Sequence, residues 1–129
     1  MKEYILDTHA YLWFISDDSR LSRSARKLIE SDGIFYISIG SLWEITIKSS
    51  LGKLKIKNHD IRELLEKQVV LNDFKILNIS PSILVTLHGL PFKHGDPFDR
   101  LIIAQALEGK MPVIGSDNIF KAYGVELIS

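Results

Sequence analysis

The sequence of 129 residues contains no cysteine. Disulfide bonds, thiolate metal ligands and thiol nucleophiles are therefore excluded, and such a composition is typical of the cytoplasm. No apolar run approaches the roughly 18 residues that a membrane-spanning helix needs, and the first residues lack the layout of a signal peptide. The 16 Lys and Arg residues offset 16 Asp and Glu residues, so net charge neither indicates nor excludes a nucleic-acid partner. We expect a cytoplasmic protein without a membrane partner.

The residues that are present are typical of one globular domain spanning residues 1–129, since 46% are hydrophobic and 25% charged. Short apolar runs predict strands at 4–6, 34–38, 74–79, 112–116 and 125–128. Helical patterns predict helices at 8–15, 22–31, 59–70, 82–88 and 97–108, with a short helix after Asp117. This alternation predicts an α/β fold with a parallel sheet covered on both faces.

Residues 41–51 fit two structures. Trp43, Ile45 and Ile47 alternate with polar residues, which slightly favours a strand. Leu42 and Ile45 also fit the buried face of a helix, which Gly52 would end. Periodicity alone therefore slightly favours the strand, with the helix as the alternative.

The segment from Asp96 to Arg100 has the pattern of a helix start. Asp96 suits the N-cap, Pro97 the first helical position, and Asp99 the third position, where a carboxylate faces the positive end of the helix. Taken alone, this segment favours a capping role over a functional one by about two to one.

Four acids are expected to converge on the edge of the sheet where parallel strands end. Each acid also has a simpler interpretation, as a helix cap or, for Glu44, as the partner of Lys48. Together they would make an all-oxygen site of the kind that Mg²⁺ or Mn²⁺ prefers. Paired divalent ions about 3.5–4 Å apart are used to cleave phosphodiesters. The four acids are Asp7, Glu44, Asp99 and Asp117. The histidines have no ligand spacing, and none is assigned to metal.

Four motifs in order resemble the PIN-domain family, specifically the ribonuclease toxins of VapBC-type toxin–antitoxin pairs. The resemblance covers nearly the whole chain. Its motifs are Leu6-Asp7-Thr8-His9-Ala10, residues 37–54 with Trp43-Glu44-Ile45, residues 96–106 from Asp96 to Ala106, and Val113-Ile114-Gly115-Ser116-Asp117.

The resemblance implies a three-layer α/β/α sandwich with a mainly parallel sheet of four to five strands, and it places Glu44 on a helix. It implies an Mg²⁺- or Mn²⁺-dependent endoribonuclease in which the four acids hold the metal. Water would attack phosphorus in line and the 3′-oxygen would leave, giving 5′-phosphate and 3′-hydroxyl ends. It also implies a cognate antitoxin and a homodimer, both using apolar surface on the early helices. Supporting roles fall to Thr8, Ser38, Asp96 and Ser116.

Two basic residues are candidates for binding substrate phosphate. Arg100 follows Asp99 directly, and Lys48 belongs to a basic group with Lys53, Lys55 and Lys57. The alternatives are that Arg100 pairs with an acid of the site and that the lysines form a solvated surface.

Two other functions remain open. A phosphoaspartyl phosphatase would use Asp7 as nucleophile, although it usually needs a second aspartate where this chain has His9. A catalytically idle PIN scaffold would bind RNA or protein, although the intact acidic set argues against it.

Overall fold

Five short parallel strands form the centre of the computed structural model, which describes residues Met1–Ser129. Their order across the sheet is β3-β2-β1-β4-β5, and every neighbouring pair is parallel. The all-parallel arrangement confirms the predicted fold class and fixes the strand number at five. The strands are β1 (Glu3–Leu6), β2 (Ile34–Ser38), β3 (Lys75–Leu77), β4 (Val113–Ile114) and β5 (Leu127–Ile128).

Seven α-helices flank the sheet, and a π-helical turn, Glu63–Lys67, leads directly into the fourth of them. None of the helices is long and apolar enough to cross a membrane. The helices are α1 (Thr8–Ile15), α2 (Arg23–Ile29), α3 (Ile39–Ser50), α4 (Gln68–Leu71), α5 (Pro81–His88), α6 (Pro97–Gly109) and α7 (Ile119–Ala122).

Each face of the sheet packs against its own hydrophobic core. Leu6 belongs to the cluster formed with α1, α2 and α3, whereas its neighbour Ile5 belongs to the cluster formed with α5, α6 and α7. Successive side chains of a strand point to opposite faces, so a short apolar strand supplies both cores. This gives the predicted three layers.

Residues 41–50 lie in α3, which confirms the placement implied by the resemblance and not the one that periodicity slightly favoured. Ile45 is fully buried while Trp43 is 60% exposed, so the apparent alternation does not correspond to one buried face. Ser38 caps the helix by accepting a hydrogen bond from the Gly40 N–H. Gly52, just beyond the end of α3, has a φ of +70°, a conformation that glycine adopts without strain.

Candidate functional site

The carboxyl-terminal edge of the sheet carries the most buried acid of the chain. Asp7 follows β1 directly, is 4% exposed, and accepts a hydrogen bond of 2.7 Å at Oδ1 from the Ala10 N–H at the start of α1. The carboxylate packs against Gly115, just after β4, where an added Cβ would lie 2.6 Å from the Asp7 Cγ. The absence of a side chain at residue 115 therefore makes the space for this acid.

Burial raises the pKa of Asp7 to about 6 from an ordinary 3.8, because the charged form loses its hydration. The charges of Asp99 and Asp117 raise this pKa further, while the Ala10 N–H and His9 oppose the shift. Asp7 forms no ion pair with any basic residue. A bound cation would relieve both the burial cost and the repulsion.

Glu44 lies in the second turn of α3 and is 6% exposed. Its Oε1 accepts a hydrogen bond of 2.9 Å from the Thr8 hydroxyl, and its Oε2 accepts one of 2.8 Å from Lys48 Nζ one turn further on. The hydrogen bond to Glu44 raises the pKa of Lys48, and the charges of Asp96 and Asp99 raise it further. The pairing of Glu44 with Lys48 is thus present, and the pair lies within the field of the acids on α6.

A close contact between α3 and α6 brings Glu44 towards Asp99. An added Cβ at Gly40 would lie 2.5 Å from Leu101 Cδ2, so only glycine allows this approach without a shift. Trp43 and Phe98 meet edge to face on the same contact, with ring centroids 5.4 Å apart.

The start of α6 is built as the sequence predicted. Asp96 is the N-cap, and its Oδ1 accepts hydrogen bonds of 2.8 Å and 3.1 Å from the N–H groups of Phe98 and Asp99. Burial raises the pKa of the Asp99 carboxyl, and the charges of Asp96 and Glu44 add to the shift while His94 opposes it.

His94 is a residue that sequence reasoning left out of the metal site. Its Nε2 lies 2.9 Å from Asp99 Oδ2, and the ligand atoms of His94, Asp96 and Asp99 all lie within 4.8 Å of one another. The four predicted acids do not form such a tight group. The signal was available, since His94 stands two residues before the N-cap of α6.

The other predicted residues lie around this centre. Asp117 is exposed, and its Oδ1 accepts a hydrogen bond of 3.0 Å from the Ile119 N–H. Ser116 is also exposed, whereas Ser38 is fully buried and caps α3. The charge of Asp117 thus raises the pKa of Asp7, and Ser38 stabilises the start of α3, the helix that carries Glu44.

Arg100 corrects the sequence expectation, because its side chain is buried and does not face the acids. Its Nη1 donates to the Pro91 carbonyl at 3.0 Å and to the Tyr123 hydroxyl at 3.1 Å, and its Nη2 donates to the Leu90 carbonyl at 3.3 Å. The Phe92 ring lies over the guanidinium, 4.2 Å away. Both terminal nitrogens of Arg100 therefore donate to the protein and not to a substrate phosphate, and the residue fixes the segment before α6.

A sequence model of the PIN domain matches residues 4–126. The chain belongs to the PIN-domain family. It is distantly related to the VapC ribonuclease toxins: it is 27% identical over 124 residues to Ribonuclease VapC22 of Mycobacterium tuberculosis, covering 95% of this chain and 93% of that protein.

Solved structures of toxin–antitoxin complexes contain chains of the same fold. A chain of VapBC2 from Rickettsia felis, bound to a promoter DNA fragment, superposes with a TM-score of 0.71 at 17% identity, covering 98% of this chain and 97% of that chain. A chain of a toxin–antitoxin complex from Klebsiella pneumoniae gives a TM-score of 0.64 at 18% identity, covering 98% and 96%. At these identities the likeness concerns the fold alone.

Proposed function

We propose that this PIN protein, residues 1–129, is a single-domain, divalent-metal-dependent endoribonuclease that acts in the cytoplasm as the toxin of a type II toxin–antitoxin pair. The observation that carries the proposal is that Asp7 is buried without a basic partner in the field of Asp99 and Asp117. Membership of the PIN family and distant relationship to a mycobacterial ribonuclease support the same conclusion.

The donor set fits Mg²⁺ or Mn²⁺. Carboxylate oxygens predominate, and the buried Asp7 carboxylate, which fills the space that Gly115 leaves beside it, has no basic partner. In the proposed site the ion is held by Asp7, Glu44, Asp99 and Asp117. When bound, such an ion supplies Lewis acidity to a phosphodiester and lowers the pKa of a water molecule.

Other side chains hold these acids in place. Thr8 and Lys48 each donate a hydrogen bond to one Glu44 oxygen, and the Ala10 N–H fixes Asp7. Asp96 and Ser38 cap the helices that carry Asp99 and Glu44, while Ser116 stands beside Asp117. In the proposed hydrolysis, water bonds to phosphorus in line with the departing 3′-oxygen, which takes up a proton, leaving 5′-phosphate and 3′-hydroxyl ends.

Lys48 is proposed to contact the substrate phosphate. Its side chain is 45% exposed while its Nζ is bonded to Glu44, so the ammonium group is available to RNA at the rim of the site. A phosphate contact of this kind adds a salt-dependent part to RNA affinity.

The proposed partners are a cognate antitoxin and a second copy of this chain. Trp13, Phe14 and Ile15 on α1 are partly exposed, which supports the expected use of the early helices. Val70 is 80% exposed and Val85 is 73% exposed on α4 and α5, so apolar surface is also present elsewhere. Light scattering of the purified protein, alone and with the product of the adjacent reading frame, tests both partners.

The experiment for activity compares Asp99→Asn with a matched control. Asp73→Asn also removes one carboxylate, but at an exposed residue whose φ of 56° suits asparagine. We expect wild type and the control to cleave RNA in Mn²⁺ or Mg²⁺ and Asp99→Asn to lose at least about 100-fold in rate. Equal cleavage by all three proteins would refute the proposed site. RNA binding by wild type without cleavage would favour the idle PIN scaffold.

A further inference from the structure

The segment before α6 adds a nitrogen donor to the acidic edge. His94 Nε2 lies 2.9 Å from Asp99 Oδ2, and both side chains are about one-quarter exposed, at 28% and 24%. They therefore remain accessible to an ion from solution while being partly shielded from water.

Two oxygens beside His94 are not used by the protein. Asp96 accepts its two backbone hydrogen bonds at Oδ1, which leaves Oδ2 without a partner. Asp99 contacts His94 through Oδ2, which leaves Oδ1 without one. Each of the two carboxylates thus keeps one oxygen for an ion, and the His94 nitrogen becomes a ligand when the ion replaces its proton.

His94 is held in this position by the helix that carries Asp99. Arg100 on α6 donates to the Pro91 carbonyl at 3.0 Å and approaches the His94 carbonyl at 3.5 Å. Arg100 thus joins the loop that carries His94 to the helix that carries Asp99. Pre-positioned ligands of this kind lose less conformational entropy when an ion binds.

The observed spacing matches a metal coordination shell. Neighbouring ligands of an octahedral ion, each about 2.1 Å from it, lie about 3 Å apart. The 2.9 Å between His94 Nε2 and Asp99 Oδ2 has this value, and the Asp96 oxygen lies within 4.8 Å of both. An imidazole nitrogen suits first-row transition ions, whereas Mg²⁺ prefers oxygen ligands and water.

We propose that His94 is a ligand of the catalytic metal and that it makes the site select Mn²⁺, or another first-row divalent ion, over Mg²⁺. This inference rests on the proposed function, since it concerns the same metal centre. In the proposed site both His94 and Asp99 bind the ion, and the bond from His94 Nε2 to the ion replaces the present hydrogen bond to Asp99.

Pulsed electron paramagnetic resonance on the Mn²⁺-loaded wild-type protein tests the inference without measuring activity. A coordinated imidazole gives a ¹⁴N hyperfine coupling, which changes to that of ¹⁵N when histidine is isotopically labelled. We expect the coupling in wild type and in His88→Gln, a control at an exposed histidine on α5, and its loss in His94→Gln. Calorimetry should show Mn²⁺ affinity falling roughly 10-fold or more in His94→Gln, with Mg²⁺ affinity changing less than about 3-fold.

Different outcomes separate this inference from the proposed function. Mn²⁺ binding that depends on Asp99 but shows no nitrogen coupling would overturn the role of His94 and leave the nuclease proposal standing. Coupling that persists in His94→Gln would assign the nitrogen to another histidine and would likewise overturn the role of His94. Failure of wild type to bind Mn²⁺, together with RNA cleavage that survives chelation, would overturn both.

Discussion

Replacing Asp7 with asparagine should stabilise the metal-free protein. Burial raises the pKa of Asp7 to about 6 from 3.8, so above pH 6 the folded state bears an ionisation cost that the unfolded state does not. About two pKa units at about 1.4 kcal/mol each correspond to about 3 kcal/mol at pH 7 to 8. Asparagine keeps an acceptor for the Ala10 N–H and removes the charge.

The pH dependence identifies the cause. As pH falls through 6 towards 3.8, the folded state takes up its proton first, so the wild type regains stability. We therefore expect the advantage of Asp7→Asn to fall from about 3 kcal/mol at pH 7 to about half that at pH 5, and below about 1 kcal/mol at pH 4. An amide N–H left without an acceptor beside Gly115 would reduce each value by about 1 kcal/mol.

Urea denaturation in EDTA at several pH values measures this difference directly. A rise in melting temperature of roughly 5–10 °C near neutral pH should accompany it. A destabilised Asp7→Asn protein, or an advantage that does not change with pH, would refute the claim that a buried charge at Asp7 opposes folding. The stabilised variant should also be inactive, because the carboxylate whose buried charge destabilises the fold is the one proposed to hold the metal.

Three other substitutions test separate parts of the site. Gly115→Ala places a methyl group against the Asp7 carboxyl, so we expect at least about 100-fold slower RNA cleavage and a loss of about 1–3 kcal/mol in urea denaturation; wild-type activity would contradict the packing. Arg100→Lys leaves carbonyls of the 87–94 segment without donors, and we expect a loss of about 2–4 kcal/mol with faster hydrogen exchange at residues 89–95; unchanged exchange would contradict its bracing role. Thr8→Val removes a hydrogen bond to the buried Glu44 carboxylate, so chemical denaturation should show a loss of about 1–3 kcal/mol in the free energy of unfolding. An unchanged free energy of unfolding would contradict the contact between Thr8 and Glu44.

Local patterns predicted the parts of the fold that depend on nearby residues. The cap at Asp96 and the helix after Pro97 follow from backbone hydrogen bonding within a few residues, and both are present. The segment at 41–51 did not yield to periodicity, because its burial is decided by α6 and by the sheet. Gly40 permits that contact, and nothing in the local pattern reports it.

The residues of the site likewise fall into those that the sequence could predict and those whose roles depend on distant contacts. Asp7 directly follows the end of β1 and Asp99 lies in the first turn of α6, so the order of elements along the chain could predict that both lie at one edge of the sheet. Arg100 was misjudged because its two terminal nitrogens donate to carbonyls of the segment folded back from α5 and to the Tyr123 hydroxyl, a long-range arrangement. Gly115 was missed for the same reason, since its importance comes from the Asp7 side chain that it meets. His94 is different, because it contacts Asp99 only five residues further on and the local pattern contained the signal.

RNA cleavage by the purified protein before and after chelation tests the metal-nuclease proposal most directly. We expect no cleavage in EDTA, recovery when Mn²⁺ or Mg²⁺ is restored in excess, 5′-phosphate and 3′-hydroxyl product ends, and no recovery for Asp7→Asn. Cleavage that continues in EDTA, in both the wild type and Asp7→Asn, would contradict it.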